Sequence, residues 1–148
     1  MFALYRERNG EAAAAACARI HQACFPQAWD VEAFQKLLSN PACAVFMAQE
    51  AEQPIAMVLL QIVGEEAEII TFGVMPEVRR EGIGSGLLWF AEKALGKEGC
   101  RKILLEVSAD NKAAVTLYER MEYAHIGRRK NYYGGTIDAV CLSKQLEI

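Results

Sequence analysis

The sequence predicts an α/β fold on a mixed sheet (α+β in layout), with the element order βααβββαβαββ. Three observations carry this. Two helix-spaced segments with capping residues come early in the chain, and three apolar runs of strand character follow, separated by short polar turns. Beyond them a glycine-rich turn opens an amphipathic helix, after which strands and helices alternate to the end.

Each element has its own local reason. Phe2 to Arg6 can make a first strand. Asn9 caps a helix running to about Cys24, and Asp30 caps a second that carries Val31, Phe34, Leu37 and Leu38 and stops at Asn40 and Pro41. Cys43 to Gln49, Ile55 to Val63 and Glu68 to Val74 are apolar runs divided by the turns AEQP and GEEA, the pattern of an antiparallel meander. The third helix bears Leu87, Leu88, Phe90, Ala91 and Leu95, and Gly96 and Gly99 are expected to end it. KILLEVS reads as a buried strand. Asp110 and Asn111 lead into a shorter helix with Ala114, Val115, Leu117 and Tyr118, and two last strands occupy Ala124 to Tyr132 and Thr136 to Leu146.

Composition sets the outer bounds. At 148 residues, 53% hydrophobic and 24% charged, residues 1–148 read as a single domain with a substantial core. A formal charge of −3 argues against a general nucleic-acid binder and does not hinder a basic peptide. Five scattered cysteines with no CxxC pair point neither to a zinc site nor to a disulfide framework, and read as reduced, mostly buried thiols. The alanine run Ala12 to Ala16 is too short, and too closely flanked by Glu11 and Arg19, for a signal or membrane helix. The expectation is a monomer in the cytoplasm, with no metal and no nucleic-acid or membrane partner.

Val74 to Leu88, VMPEVRREGIGSGLL, is the segment richest in chemistry. A helix start offers free N–H donors and the positive end of the helix dipole, and glycine lets an anion approach them closely. Two familiar phosphate loops fail on these residues. A P-loop needs lysine and a hydroxyl residue after its last glycine, where Leu87 and Leu88 follow Gly86; a dinucleotide fingerprint wants glycine at Leu87. A plain glycine-rich turn remains the bland reading of the glycines alone.

The spacing of Arg79, Gly82 and Gly84 resembles the RxxGxG/A acetyl-CoA signature of the GNAT acetyltransferase family, and the strand order resembles the GNAT fold over nearly the whole chain. The stretch LEVSADNKAAVTLYERMEY followed by RKNYY is similar to the RimI-like branch, whose members acetylate the N-terminal alanine of a small-subunit ribosomal protein. The resemblance implies acetyl-CoA as co-substrate, with Arg79, Arg80, Gly82, Ile83, Gly84, Ser85 and Gly86 around its pyrophosphate. It further implies Phe72, Gly73 and Val74 offering backbone groups to the pantetheine arm, and Asn111 and Tyr118 contacting the cofactor. Glu106 and Tyr118 stand at the branch's catalytic glutamate and tyrosine positions.

The chemistry accounts for such a pair. An α-amine with pKa of about 7.7 to 8.0 is mostly protonated at pH 7 and attacks a thioester only when neutral. Glu106, a carboxylate within the apolar string ILLEV, is expected to be desolvated, with a raised pKa, and to take that proton directly or through a water. Tyr118 is the hydroxyl available to the departing thiolate. The bland readings are a solvated strand-edge glutamate and a core tyrosine on the stripe Ala114, Leu117, Tyr118, Met121.

The acceptor side resembles the branch less closely. Tyr132 and Tyr133 in HIGRRKNYYGG are candidates for the peptide groove, or simply half-buried strand aromatics. CFPQAW resembles a family phenylalanine-proline-tryptophan motif with two residues between Pro26 and Trp29; Glu122 stands where the family usually has glycine; and the loop GGTID is short. The acceptor is expected to be a protein N-terminus. A GNAT enzyme for lysine or a small amine, and a non-catalytic acyl-CoA-binding or partner-dependent module, remain alternatives. His21 and His125 receive no catalytic role, and Arg128, Arg129 and Lys130 read as a solvated strand face.

Overall fold

The structure is a computed structural model that describes residues 2–133 and 135–147. In chain order it contains β1 (Ala3–Glu7), α1 (Gly10–Cys24), α2 (Val31–Leu38), β2 (Cys43–Glu50), β3 (Gln53–Val63) and β4 (Glu66–Val74). A short 3-10 turn (Pro76–Val78) precedes α3 (Ile83–Lys97), β5 (Lys102–Ser108), α4 (Lys112–Arg120), β6 (Ala124–Tyr133) and β7 (Ile137–Gln145). The order matches the sequence expectation, with boundaries moved by a residue or two, as fraying ends allow. Gly96 is an exception of substance: it stays inside α3, and the chain turns at Glu98 and Gly99, where Gly99 takes φ +101°.

The capping expectations are met atom by atom. The Asn9 side chain accepts from Glu11 N and Ala12 N at 3.0 and 3.1 Å, and Asp30 accepts from Ala33 N at 2.9 Å, so both helices start where a short polar side chain can satisfy their free donors. Among the described residues no helix is long and apolar enough to cross a membrane.

All seven strands share one sheet in the order β1-β2-β3-β4-β5-β7-β6. β4 against β5 is the parallel contact in an otherwise antiparallel sheet. Helices cover both faces. A Cβ on Gly73 would come within 3.3 Å of both Cys24 Sγ and Ile20 Cγ2, so α1 rides directly over this point of β4. The neighbours Phe72 and Val74, which point the other way, meet the start of α3 at Gly84. The core between these layers includes Ile20, Phe34, Phe46, Met57, Leu59, Leu88, Leu95 and Ile103, each fully buried.

Two irregularities shape the middle of the sheet. Ile70 is an extra residue in β4, a bulge opposite the Leu59/Leu60 step of β3. β4 and β5 pair only from Glu66–Lys102 to Glu68–Leu104, immediately before that bulge, and then run on unpaired to Val74 and Ser108. A bulge bends its strand and increases local twist, which accounts for a seam that closes at one end and opens at the other.

Candidate functional site

The open seam leaves backbone groups without ladder partners. Met75 N donates to Ile55 O at 2.8 Å, so the Met75–Ile55 step is a bonded one, and alternation makes Gly73–Met57 bonded too. Phe72 and Val74 therefore direct their N–H and C=O groups away from β3, into the seam. Gly73 does not. Of the three residues expected to offer backbone groups to the arm, Phe72 and Val74 have theirs facing the seam, while Gly73 pairs with β3 and accommodates α1. The Val74 carbonyl is already engaged, accepting from Cys24 Sγ at 3.2 Å and from Arg79 Nε at 2.9 Å. Its N–H is left for another acceptor.

That pair of contacts also fixes the glycine-rich turn. Arg79, expected only as a phosphate partner, spends its Nε tying residues 74–79 into a closed loop and keeps its terminal nitrogens exposed. Arg80 takes φ +69°, an uncommon conformation for a residue with a Cβ, and is exposed. Gly82 follows at φ +79° as the N-cap of α3, where glycine adopts the left-handed region freely.

No side chain caps α3. The first intrahelical bond is Gly86 N to Gly82 O at 3.0 Å, so the N–H groups of Ile83, Gly84 and Ser85 have no backbone partner among the described residues. Ser85 Oγ donates to Gly82 O, steadying the turn. Gly84 lies against Phe72 and Leu117, and Gly86 lies near Phe2. An uncapped first turn, with the positive end of the helix dipole, and two exposed arginines meet at the mouth of the seam, an arrangement that suits an anion. A polyamide arm ending in a pyrophosphate fits this arrangement, with the seam for the arm and the cradle for the charge.

α4 closes the other side. Asn111 caps it, its Oδ1 accepting from Ala114 N at 3.2 Å, so only its amide nitrogen is free to donate outward. Tyr118 packs its ring 6.2 Å from Phe72 and 5.5 Å from Tyr123 and is 4% exposed. Its hydroxyl bonds to no described residue, yet no fully buried side-chain polar atom among the described residues lacks a partner, which puts that hydroxyl at an opening. Burial, and secondarily Tyr133, pushes its pKa well above the ordinary phenol value, so it is protonated at neutral pH.

Glu106 differs from expectation in its surroundings. Its side chain is 22% exposed and ion-paired, Oε1 to Arg129 Nε at 2.9 Å, because β6 carries Arg129 across β7 toward it. Tyr133 is half-buried and its pKa is raised, first by burial and next by the Glu106 charge. Tyr132 is exposed, its ring 5.2 Å from that of Tyr133. Tyr133 is within electrostatic reach of both Glu106 and Tyr118. Gly134 of the GGTID loop lies outside the described residues.

Three further features bear on the acceptor side. Glu122 takes φ +72° as the residue after the Met121 C-cap, with Tyr123 N donating back to Tyr118 O at 2.9 Å; the position demands a left-handed backbone, and this is what a glycine would supply. Its effect is on the end of α4. His21 is buried, accepts from Trp29 N at its Nδ1 at 2.9 Å, and stacks 4.8 Å from the Trp29 ring, so it organises the CFPQAW loop. His125 is exposed and pairs with Glu119 at 2.8 Å. The five cysteines are free; Cys17 and Cys100 are buried, and burial pushes the Cys17 thiol up to about 12.

Sequence reasoning read Arg129 as part of a solvated strand face, whereas it pairs with Glu106, and it passed over the Cys24 contact and the Ile70 bulge, since a bulge within IITFG has no local signal.

The sheet is parted along its parallel β4–β5 seam, at the carboxyl ends of the two strands, above an uncapped helix start. Residues 14–123 match the model of the acetyltransferase (GNAT) family, and the chain belongs to that family. A 91-residue stretch is 35% identical to the [ribosomal protein bS18]-alanine N-acetyltransferase of Escherichia coli K12, taking in 60% of this chain and 62% of that one. The chain thus matches about three fifths of the length of such curated relatives. The crystal structure of the ribosomal-protein-S18-alanine N-acetyltransferase from Escherichia coli aligns at a TM-score of 0.91 and 26% identity, over 100% of this chain and 96% of that one. Arabidopsis thaliana NAA60 in complex with acetyl-CoA shares the fold, with a TM-score of 0.83 at 22% identity over 99% of each chain.

Proposed function

We propose that the protein is an acetyl-CoA-dependent N-acetyltransferase acting on a protein N-terminal α-amine, with the alanine end of a small-subunit ribosomal protein as acceptor, by direct transfer in a ternary complex. One observation carries this reading. The parted β4–β5 seam is bordered by the uncapped start of α3, which meets Phe72 and Val74, by Tyr118 against Phe72, and by Glu106 on β5, so one elongated donor can lie along all of them. The names of the relatives point to the same acceptor. Residues 1–148 act as one domain in this reading, as a monomer in the cytoplasm.

Bound acetyl-CoA supplies an activated acetyl thioester. The N–H groups of Ile83, Gly84 and Ser85, with the exposed ends of Arg79 and Arg80, hold its pyrophosphate; the backbone of Phe72 pairs with its arm, and the free amide of Asn111 donates to it. In this reading the Val74 N–H polarises the thioester carbonyl. Glu106 takes the proton from the acceptor ammonium, directly or through water, and Tyr132 and Tyr133 flank the incoming peptide.

Tyr118 donates a hydrogen bond to the sulfur as it departs. Full proton transfer from it is unfavourable: even an ordinary phenol near pKa 10 lies about 1.5 units above an ordinary thiol, or about 2 kcal/mol, and burial widens that gap. Its value is a fixed donor at the opening.

The test is thiol release with acetyl-CoA and an alanine-starting peptide. Glu106→Gln and Tyr118→Phe are each expected to lower turnover by about 10² or more. Turnover that survives both substitutions unchanged removes the assignment.

A further inference from the structure

Arg128 and Arg129 are sequence neighbours with unlike roles. Arg128 is a fixed strut: its Nε donates to Asp138 Oδ2 at 2.7 Å, and Asp138 Oδ1 accepts from Asn131 N at 3.0 Å, so one carboxylate anchors both the arginine and the backbone of the β6–β7 ribbon. Arg129 is loosely held. Its only described polar partner is Glu106, through a single Nε contact rather than a bidentate one, and its side chain is 59% exposed. Its Cζ lies 5.4 Å over the ring of Tyr132.

A carboxylate beside an aromatic face is the chemistry that recognises an ammonium group. Here the chain fills that seat with its own cation. The backbone around it can yield: β6 is the sheet edge, its register against β7 slips between Arg129 and Tyr133, and Asn131 there takes φ +53°. Gly127, which faces Cys141 and through it Glu106, presents no side chain in the same row, and a Cβ built on it would meet nothing within 4 Å.

We propose that Arg129 is a displaceable gate on the acceptor site, its guanidinium occupying between Glu106 and Tyr132 the seat that the acceptor's ammonium takes. An acceptor binds by exchanging cation for cation. Selection follows: a free, protonated amine can displace the guanidinium, whereas a neutral chain end cannot. Arg129 is a positioning residue in this scheme, since it leaves Glu106 before any bond changes. The inference rests on the assignment of Glu106 to the acceptor amine.

The experiment measures calorimetric affinity for an alanine-starting peptide, and for the same peptide with its N-terminus acetylated, in the presence of CoA. Arg129→Gln removes the resident cation and is expected to tighten binding of the free-amine peptide by about three- to tenfold, the range for an exposed ion pair with an aromatic contact. Arg129→Lys restores a cation and is expected to keep the wild-type affinity. The acetylated peptide is expected to bind equally to all three proteins. Free-amine affinity that is unchanged, weakened or undetectable in Arg129→Gln overturns the gate, and so does an equal gain for both peptides. Acetyl transfer measured on the same samples separates the two claims. Tighter binding without any transfer keeps the gate and removes the transferase reading, while transfer with unaltered affinity does the reverse.

Discussion

Replacing Glu122 by glycine is expected to stabilise the protein. Glu122 holds φ +72° one residue beyond the Met121 C-cap, and the Tyr123 N–H to Tyr118 O bond of 2.9 Å closes the helix end around it. A residue with a Cβ pays about 1 to 2 kcal/mol to sit in the left-handed region. Glycine removes that cost and incurs about 0.5 to 1 kcal/mol for the freer unfolded chain, which leaves a net gain of roughly 0.5 to 1 kcal/mol. At this chain length that is a rise in Tm of about 1.5 to 3 °C. The side chain is exposed and makes no described hydrogen bond or ion pair, so little else changes. Urea unfolding with an unchanged slope is the assay, and Glu122→Ala is the control, because alanine keeps the Cβ and gains nothing. A Glu122→Gly protein no more stable than wild type, or an alanine variant that matches it, refutes the conformational argument.

Two further outcomes concern the frame around the site. Glu92, 5% exposed on α3, accepts from Tyr123 Oη and from Lys144 Nζ, both at 2.8 Å, and so ties α3 to the α4–β6 turn and to β7. Glu92→Ala strands a lysine and a buried phenol, and is expected to cost about 3 to 5 kcal/mol in urea titration; a loss under 1 kcal/mol contradicts this. Burial lowers the pKa of His21, while the unfolded chain titrates near 6.5, so protons favour unfolding. Its contribution is intact above about pH 6.5 and falls as the pH drops through that value toward the folded pKa. Urea midpoints at pH 7.5 and 5.5 are expected to differ less in His21→Gln than in wild type, and an equal difference in both rejects the assignment.

Much of the fold was legible because its punctuation is chemical. Asn9 and Asp30 accept from the first turns they cap, and the order of strands and helices follows the apolar periods. Gly96 misled because a glycine inside a helix and a glycine beyond one look alike until packing decides. An anion cradle was the expectation from Arg79, Gly82 and Gly84, but not that Arg79 would spend its Nε on the Val74 carbonyl, a contact that exists only once residues 74–79 fold back. The family resemblance implied free backbone groups along β4, but the point at which the seam opens was beyond reach for a similar reason. It opens at a bulge on Ile70, and an isoleucine in a bulge has the same local preference as one in a ladder. Glu106 sits among apolar neighbours in sequence, yet its carboxylate pairs with Arg129, which arrives from a strand two places across the sheet. Side chains that answer to distant elements are the part of a site that local pattern conceals.

The most direct measurement is to incubate the pure protein with acetyl-CoA and a set of peptides, and locate the acetyl group by mass spectrometry. The set includes one with the ribosomal protein's alanine terminus, others starting with different residues, and one whose only free amine is a lysine side chain. Acetylation confined to α-amines, greatest on the alanine-starting peptide, is the expected result. Clear modification of the lysine amine or of a small free amine, with the alanine terminus untouched, contradicts the account.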